Sequence, residues 1–252
     1  MDKSLFLFSI SIQMCRFNRS DRTVNPSRNS SSAGKSRWWN AEVKTCLNSW
    51  RRNQMSDVGL IILAAGASTR MGTPKQLLRY GEQSLIGHVV QVANASVCHP
   101  IIVVLGSYAE RIKPEINSEQ VHIVENPLLS EGISTSIRVG IEALNIINKE
   151  AKAVVLMVCD QPFISSQLIN QLVEVHETTL NPIVASQYAD TLGVPALFNR
   201  TLFTKLTTLS GTDGAKHIIK KYLQEALAIP FPEGVFDLDT PDDYEQLLLK
   251  NN

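Results

Sequence analysis

The stretch Val58-Gly59-Leu60-Ile61-Ile62-Leu63-Ala64-Ala65-Gly66-Ala67-Ser68-Thr69-Arg70-Met71-Gly72-Thr73-Pro74-Lys75 begins as an unbroken apolar run and ends as a small-residue loop with two cations. An apolar run of strand length without polar alternation is the pattern of a strand buried on both faces, as in a parallel sheet. The loop that follows suits phosphate. Small residues let backbone N–H groups close around phosphate oxygens, and Arg70 and Lys75 add fixed positive charge. It is not a Walker loop, which would end Gly-Lys-Ser/Thr, and it lacks the GxGxxG of a dinucleotide fold. By spacing alone, a strand-to-helix turn with solvated basic ends explains it equally well.

Outward from this stretch, apolar runs of strand length alternate with amphipathic helical segments. Strands are expected at Val58 to Ala64, Pro100 to Leu105, Val121 to Val124, Ala153 to Val158, Pro182 to Ser186, Val194 to Phe198 and Leu227 to Ile229. Helices are expected at Leu85 to Ala95, Thr135 to Ile147, Ser166 to His176, Gly214 to Leu223 and Asp242 to Leu249. The alternation predicts a three-layer α/β/α fold, Rossmann-like, with a mostly parallel sheet covered by helices on both faces. Residues 55–252 read as one domain.

The first 54 residues differ. They are rich in Ser, Arg and Asn, lack periodicity, and set Trp38, Trp39 and Trp50 among charges, so they are expected to be a disordered extension. A translation start at Met55 explains why a Met stands at the domain edge; a basic targeting or partner-binding tail is the competing reading. The net charge of zero hides the split: ten Lys/Arg against three Asp/Glu up to residue 54 (+7), and 14 against 21 beyond it (−7). An acidic domain argues against a general nucleic-acid-binding surface. Cys15, Cys46, Cys98 and Cys159 form no CxxC pair and have no His cluster to complete a zinc site, so they read as reduced thiols of a cytoplasmic protein. No segment approaches the roughly 20 apolar residues of a membrane span. The run Leu5 to Ile12 behind Lys3 has no small-residue cleavage site after it.

Two more segments carry chemistry. Val158-Cys159-Asp160-Gln161-Pro162 follows an expected strand, and ligands of α/β sheets gather at the carboxyl ends of strands. A carboxylate there is a hard ligand suited to Mg²⁺; the bland alternative for Asp160 is a helix cap or loop residue. In Phe236-Asp237-Leu238-Asp239-Thr240-Pro241-Asp242-Asp243-Tyr244, Thr240 as cap, Pro241 at the first helical position and acids in the first turn are helix-start chemistry. Asp237 and Asp239 are left over, and either is a candidate second metal carboxylate.

Taken together, these segments resemble the molybdenum-cofactor nucleotidyltransferases, closest to the CTP:molybdopterin cytidylyltransferases, over nearly all of residues 57–252. The LAAGASTRMGTPKQLL stretch is the most specific part. The resemblance implies a fold of the nucleotide-diphospho-sugar transferase type. It also implies that Leu63, Ala64, Ala65 and Gly66 bind nucleotide, that Arg70 and Lys75 contact phosphates, and that Asp160 and Asp239, rather than Asp237, hold Mg²⁺. Asn126-Pro127 and Glu131-Gly132-Ile133-Ser134-Thr135-Ser136-Ile137-Arg138 match a stretch beside the nucleotide, marking Asn126, Gly132 and Ser134; Ser134 as a simple helix cap accounts for it equally well. Gly193-Val194-Pro195-Ala196-Leu197-Phe198 matches the acceptor side. Leu192 and Val194 stand where a basic residue and His are common in the family, and Thr212 where an acid is usual, departures that bear on the acceptor and not on the reaction type.

The implied reaction is attack of the acceptor's phosphate on the α-phosphorus of CTP, with pyrophosphate leaving, in which Lys75 and Arg70 are catalytic by charge neutralisation. The implied acceptor is molybdopterin-type, with a molybdoenzyme or its chaperone as protein partner, and no nucleic acid or membrane. The rivals are a transferase using GTP or a sugar phosphate, a nucleotide-binding module without turnover, and a nicotinamide oxidoreductase. For the last, Glu82 stands near the required spacing but the glycine motif is missing. His88, His99, His122, His176 and His217 are scattered, which leaves a hydrolase triad without support.

Overall fold

A computed structural model describes residues 57–116 and 121–250. The sequence readings that fall on residues 1–54, including the extension and its start at Met55, lie outside the described residues.

The apolar run at Val58–Ala64 forms β1, buried at every position. It is followed by a two-stranded ribbon, β2 (Arg79–Tyr80) and β3 (Gln83–Ser84), then α1 (Leu85–Asn94), β4 (Ile101–Leu105), α2 (Ala109–Ile112) and β5 (Val121–Glu125). The chain continues through α3 (Ile133–Ile147), β6 (Ala153–Val158), α4 (Ser166–Thr179), β7 (Ile183–Tyr188), β8 (Thr191–Asn199), α5 (Phe203–Thr207), α6 (Ala215–Lys221), β9 (Ala226–Pro230) and α7 (Pro241–Lys250). Every expected strand and helix is present. The ribbon and the short helices α2 and α5 were not anticipated, because two to five residues are too few to show a period.

Among the described residues the main sheet has seven strands in the order β5-β4-β1-β6-β8-β7-β9. Pairing is parallel for β1 with β4 and β6, for β4 with β5 and for β7 with β9. The exception is β8, antiparallel to both β6 and β7. Its run is as apolar as its neighbours, so composition gave no sign of direction; the tight turn at Ala189 and Asp190, both with positive φ, folds β8 back as a hairpin.

Successive strand residues face opposite layers, which divides the core in two. Leu60, Ile62, Val103 and Met157 meet α1, α4 and α7 on one face, while Ile61, Val104, Leu156 and Phe198 meet α3, α5 and α6 on the other. Helix α3 lies tightest. A Cβ at Gly140 would come within 2.8 Å of Ile61 Cγ2, and one at Gly59 within 2.6 Å of Leu144 Cδ1, so two absent side chains let α3 seat on β1. Helix ends follow local chemistry: Ser84 and Ser165 cap α1 and α4 by accepting from Gly87 N and Leu168 N. Among the described residues no helix is long and apolar enough to cross a membrane.

Leu144 is fully buried over Gly59. Leu144→Ala is expected to lower the unfolding free energy by about 2–5 kcal/mol, the range for a large-to-small change at a site that collapses poorly. Urea unfolding followed by circular dichroism measures it.

Candidate functional site

The first strands step from β1 outward to β4 and β5; the chain then crosses back to place β6 on the other side of β1. The carboxyl ends of β1 and β6 therefore meet at the point where strand order reverses, the place where an open α/β sheet forms a crevice. A cavity of about 210 Å³ occupies it, lined by Leu63, Ala64, Ala65 and Gly66 from the end of β1, by Cys159 and Asp160 after β6, and by Gly132, Ile133 and Ser136 at the start of α3.

Lys75 and Gln76 begin a 3-10 turn that returns the loop to the crevice. Gln76 is 1% exposed, and its Nε2 donates to the carbonyls of Ala64 (2.8 Å) and Gly66 (3.0 Å), pinning the loop to the end of β1. Ser68, with φ 51°, turns its hydroxyl to accept from Lys75 N at 3.1 Å. These contacts aim Lys75 inward.

The Lys75 ammonium lies 2.6 Å from Asp160 Oδ2 and 2.9 Å from Asp239 Oδ1, and Arg70 reaches Asp239 Oδ2 at 3.0 Å. The Lys75 side chain is 13% exposed and the Arg70 side chain 70%, so the Lys75 pairs are sheltered while that of Arg70 is screened by water. Burial alone would pull the Lys75 pKa down, but the Asp160 charge and the hydrogen bonds to both carboxylates raise it above the usual lysine value, which keeps the ammonium charged. The Lys75 hydrogen bond holds Asp239 below the ordinary carboxylate range.

Asp239 is far from Asp160 in sequence, and the backbone brings them together. Leu238 N donates to Asp160 O at 2.9 Å, docking the segment before α7 against the end of β6. Asp243 Oδ2 then accepts from Asp239 N, Thr240 N and Thr240 Oγ1, while Thr240 Oγ1 accepts from Asp243 N, a capping box that fixes the backbone of Asp239. Asp237 takes a different path: its Oδ1 accepts from Gln161 Nε2 at 3.1 Å. Partial desolvation and the Asp160 charge raise its carboxyl above the ordinary value.

The remaining sequence candidates sit beside the cavity with most of their hydrogen bonds internal. Asn126 Nδ2 donates to Thr135 Oγ1 and Ser136 Oγ, and its Oδ1 accepts from Leu128 N, so it shapes the loop ahead of α3. Gly132 has φ 106°, and a Cβ there would lie 2.1 Å from Gly211 O. Ser134 donates its hydroxyl to that same carbonyl at 2.9 Å. It lies inside α3, whose N-cap is Gly132, so Ser134 is not the helix cap that its sequence context allowed. Asp160 likewise caps no helix, since the cap of α4 is Ser165, five residues later.

The donor set fits a hard divalent cation. Asp160 Oδ1 is buried without a hydrogen-bond partner, and the two carboxylates are close enough to share one ammonium. Among the described residues no cluster of three or more His, Cys, Asp or Glu could enclose a metal. A cation held by Asp160 and Asp239 would complete its shell with water and substrate phosphate, the mode typical of Mg²⁺. Cys159 beside them is buried, with its thiol pushed up by burial, and Cys98 is pushed up to about 12 by the same cause; both are inert at neutral pH. His88 tilts against Tyr80 and His176 bonds Asn181 O, in packing roles.

Sequence reasoning missed Gln76 and Gln161. A polar residue interrupting the apolar Leu77-Leu78 approach was the available signal for Gln76; for Gln161, whose partners Asp237 and Gly234 are more than 70 positions away, there was none.

The sequence pattern of the MobA-like NTP transferase domain family matches residues 60–226. Nicotine blue oxidoreductase of Paenarthrobacter nicotinovorans is 28% identical over 197 residues, covering 75% of this chain and 95% of that protein. The structure of the Mycobacterium tuberculosis rv0371c homologue from Mycobacterium sp. strain JC1 is similar with a TM-score of 0.68 and 32% identity, covering 78% of this chain and 97% of the other. The manganese complex of Rv0371c from Mycobacterium tuberculosis H37Rv is similar with a TM-score of 0.63 and 27% identity, covering 77% and 99%.

Gln76→Leu is expected to leave the buried Ala64 carbonyl without this donor, and to free the more exposed Gly66 carbonyl, destabilising by about 1–3 kcal/mol, measured by urea unfolding. Asp237 gives a pH signature. A carboxyl whose folded pKa is raised costs stability while ionised, and that cost fades as pH falls through the folded pKa. Asp237→Asn should raise the melting temperature at pH 7, with the gain shrinking toward pH ~4, near the ordinary carboxyl pKa; calorimetry across that range decides it.

Proposed function

Because the chain belongs to the MobA-like NTP transferase family, with the nucleotide-diphospho-sugar transferase fold, we propose that this nucleotidyltransferase moves CMP from CTP to the phosphate of a molybdopterin-type acceptor, using Mg²⁺. The observation that carries the reading is the convergence of Lys75 on Asp160 and Asp239, with Lys75 and Asp160 both lining the cavity. The preference for CTP and for molybdopterin rests on the LAAGASTRMGTPKQLL and CDQP segments.

In this mechanism an oxygen of the acceptor's phosphate attacks the α-phosphorus in line, the bond from that phosphorus to the bridging oxygen breaks, and pyrophosphate carries away the electron pair. The nucleophile is already ionised and needs no strong base. Leu63 to Gly66 line the cavity on the side assigned to the nucleotide, with Gly132 and Ser136 at the start of α3, while Ser134 and Asn126 support that turn from behind. Mg²⁺ would supply charge neutralisation across the phosphates. Asp160 and Asp239 would hold the cation, Lys75 would stabilise the charge growing at the α-phosphate, and Arg70 would hold the outgoing β- and γ-phosphates. Residues 55–252 carry the activity in this reading, in the cytoplasm, with a molybdoenzyme or its chaperone receiving the product.

One observation favours a second reading. Similarity extends over 95% of nicotine blue oxidoreductase, so an oxidoreductase built on this fold is the alternative. Turnover of a nicotinamide cofactor without pyrophosphate release would select it.

The test is pyrophosphate release by the full chain, and by residues 55–252 in parallel, with Mg²⁺, each of the four ribonucleoside triphosphates and molybdenum cofactor as acceptor. Release is expected with CTP, abolished in Asp160→Asn. Lys75→Ala is expected to cut turnover by about 10²- to 10³-fold, the effect of losing one electrostatic donor, with a much smaller change in nucleotide affinity. Absence of release with every triphosphate would remove the acceptor assignment.

A further inference from the structure

A second group of side chains, Tyr188, Lys216 and Asp237, lies beyond Asp160 and has no role in the transfer step above. The strand order sets β1 and its loop on one side of β6 and the β7–β8 hairpin on the other. In that hairpin Gly193 lies against Tyr188: a Cβ at Gly193 would be 2.1 Å from the Tyr188 hydroxyl and 3.2 Å from Lys216 Cε. Lys216, at the start of α6, therefore passes over a position that only glycine leaves open, and its ammonium stands 5.5 Å from the Tyr188 ring centroid. Asp237 is near enough for the Lys216 charge to act on its carboxyl, and Gln161 ties Asp237 to the residue next to Asp160. Among the described residues Lys216 joins no ion pair, and it is exposed.

Attacking and leaving oxygens lie on opposite sides of a transferred phosphoryl group. With pyrophosphate held by Arg70 on the β1 side, the nucleophile has to enter from the hairpin side. Residues 188–197 of the hairpin contain no Lys, Arg or His, and Leu192 and Val194 are apolar. We infer that Lys216 supplies the missing charge: its ammonium is the subsite for the anionic attacking group of the acceptor, held in place by the Tyr188 ring and the Asp237 charge over Gly193. The inference rests on the nucleotidyl-transfer reading and adds to it the residue that selects an anionic acceptor.

Two-stage isothermal titration of the full chain tests both. The α,β-methylene analogues of the four ribonucleoside triphosphates are titrated first with Mg²⁺, and inorganic phosphate is then titrated into the loaded protein. Wild type is expected to bind one analogue and then phosphate. Lys216→Met is expected to bind the analogue within about twofold of wild type and phosphate at least about tenfold more weakly, the scale of one charge-assisted contact. If no analogue binds wild type, the nucleotidyl-transfer reading falls and the inference with it. If an analogue binds but phosphate does not, or binds Lys216→Met as tightly as wild type, the inference alone is overturned.

Discussion

The pairing of β1 between β4 and β6 is the constraint on which the rest depends. It places a fully apolar strand at the centre of the sheet, where both faces must be covered, and it requires the chain to reverse its direction of travel after β5. That reversal leaves a crevice between the ends of β1 and β6 that no neighbouring connection fills. The fit of α3 over Gly59 and Gly140 follows from the same pairing, since α3 is the crossing that returns the chain to β6. A fault in this packing would move the start of α3, and with it one wall of the cavity.

Around the crevice, rigidity comes from hydrogen bonds to backbone groups and not from the Lys75 and Arg70 ion pairs. Gln76 fastens the loop to β1, the Leu238 amide fastens the last segment to Asp160, and the Thr240–Asp243 box fixes the turn that carries Asp239. The charged side chains are thus presented by a frame that does not itself ionise at neutral pH, apart from Asp243. This division matters for catalysis by electrostatics, because a charge stabilises a transition state only if little reorganisation is needed as the reaction proceeds.

The Lys75 ion pairs illustrate the balance. Two carboxylates beside a buried wall would repel, and Lys75 neutralises them while partly sheltered itself. The same nitrogen is a poor permanent partner for both, since one face of Asp160 remains buried and without a hydrogen bond. The two carboxylates, the ammonium and the unbonded Asp160 oxygen together fit the demands of a divalent cation and a phosphate chain, as the proposed function requires.

The sequence by itself determined the elements of this protein and the type of its chemistry. Strand and helix periods are local, so the seven main strands and the long helices were legible, as were the loop with Arg70 and Lys75 and the carboxylate after the strand at Ala153–Val158. Membership in the nucleotidyltransferase family was legible too, because its motifs are contiguous. Only the tertiary structure decided what depends on contacts between distant segments. The reversal of β8 needed its neighbours, as its apolar run is the same in either direction. The choice of Asp239 over Asp237 as the partner of Lys75 became a geometric fact only when the Leu238 amide met the Asp160 carbonyl, 78 positions away. Gln161 and Lys216 carry no local signal at all: a polar side chain in a loop or on a helix surface looks the same whether it faces solvent or a cleft, and the fold alone sets which it does.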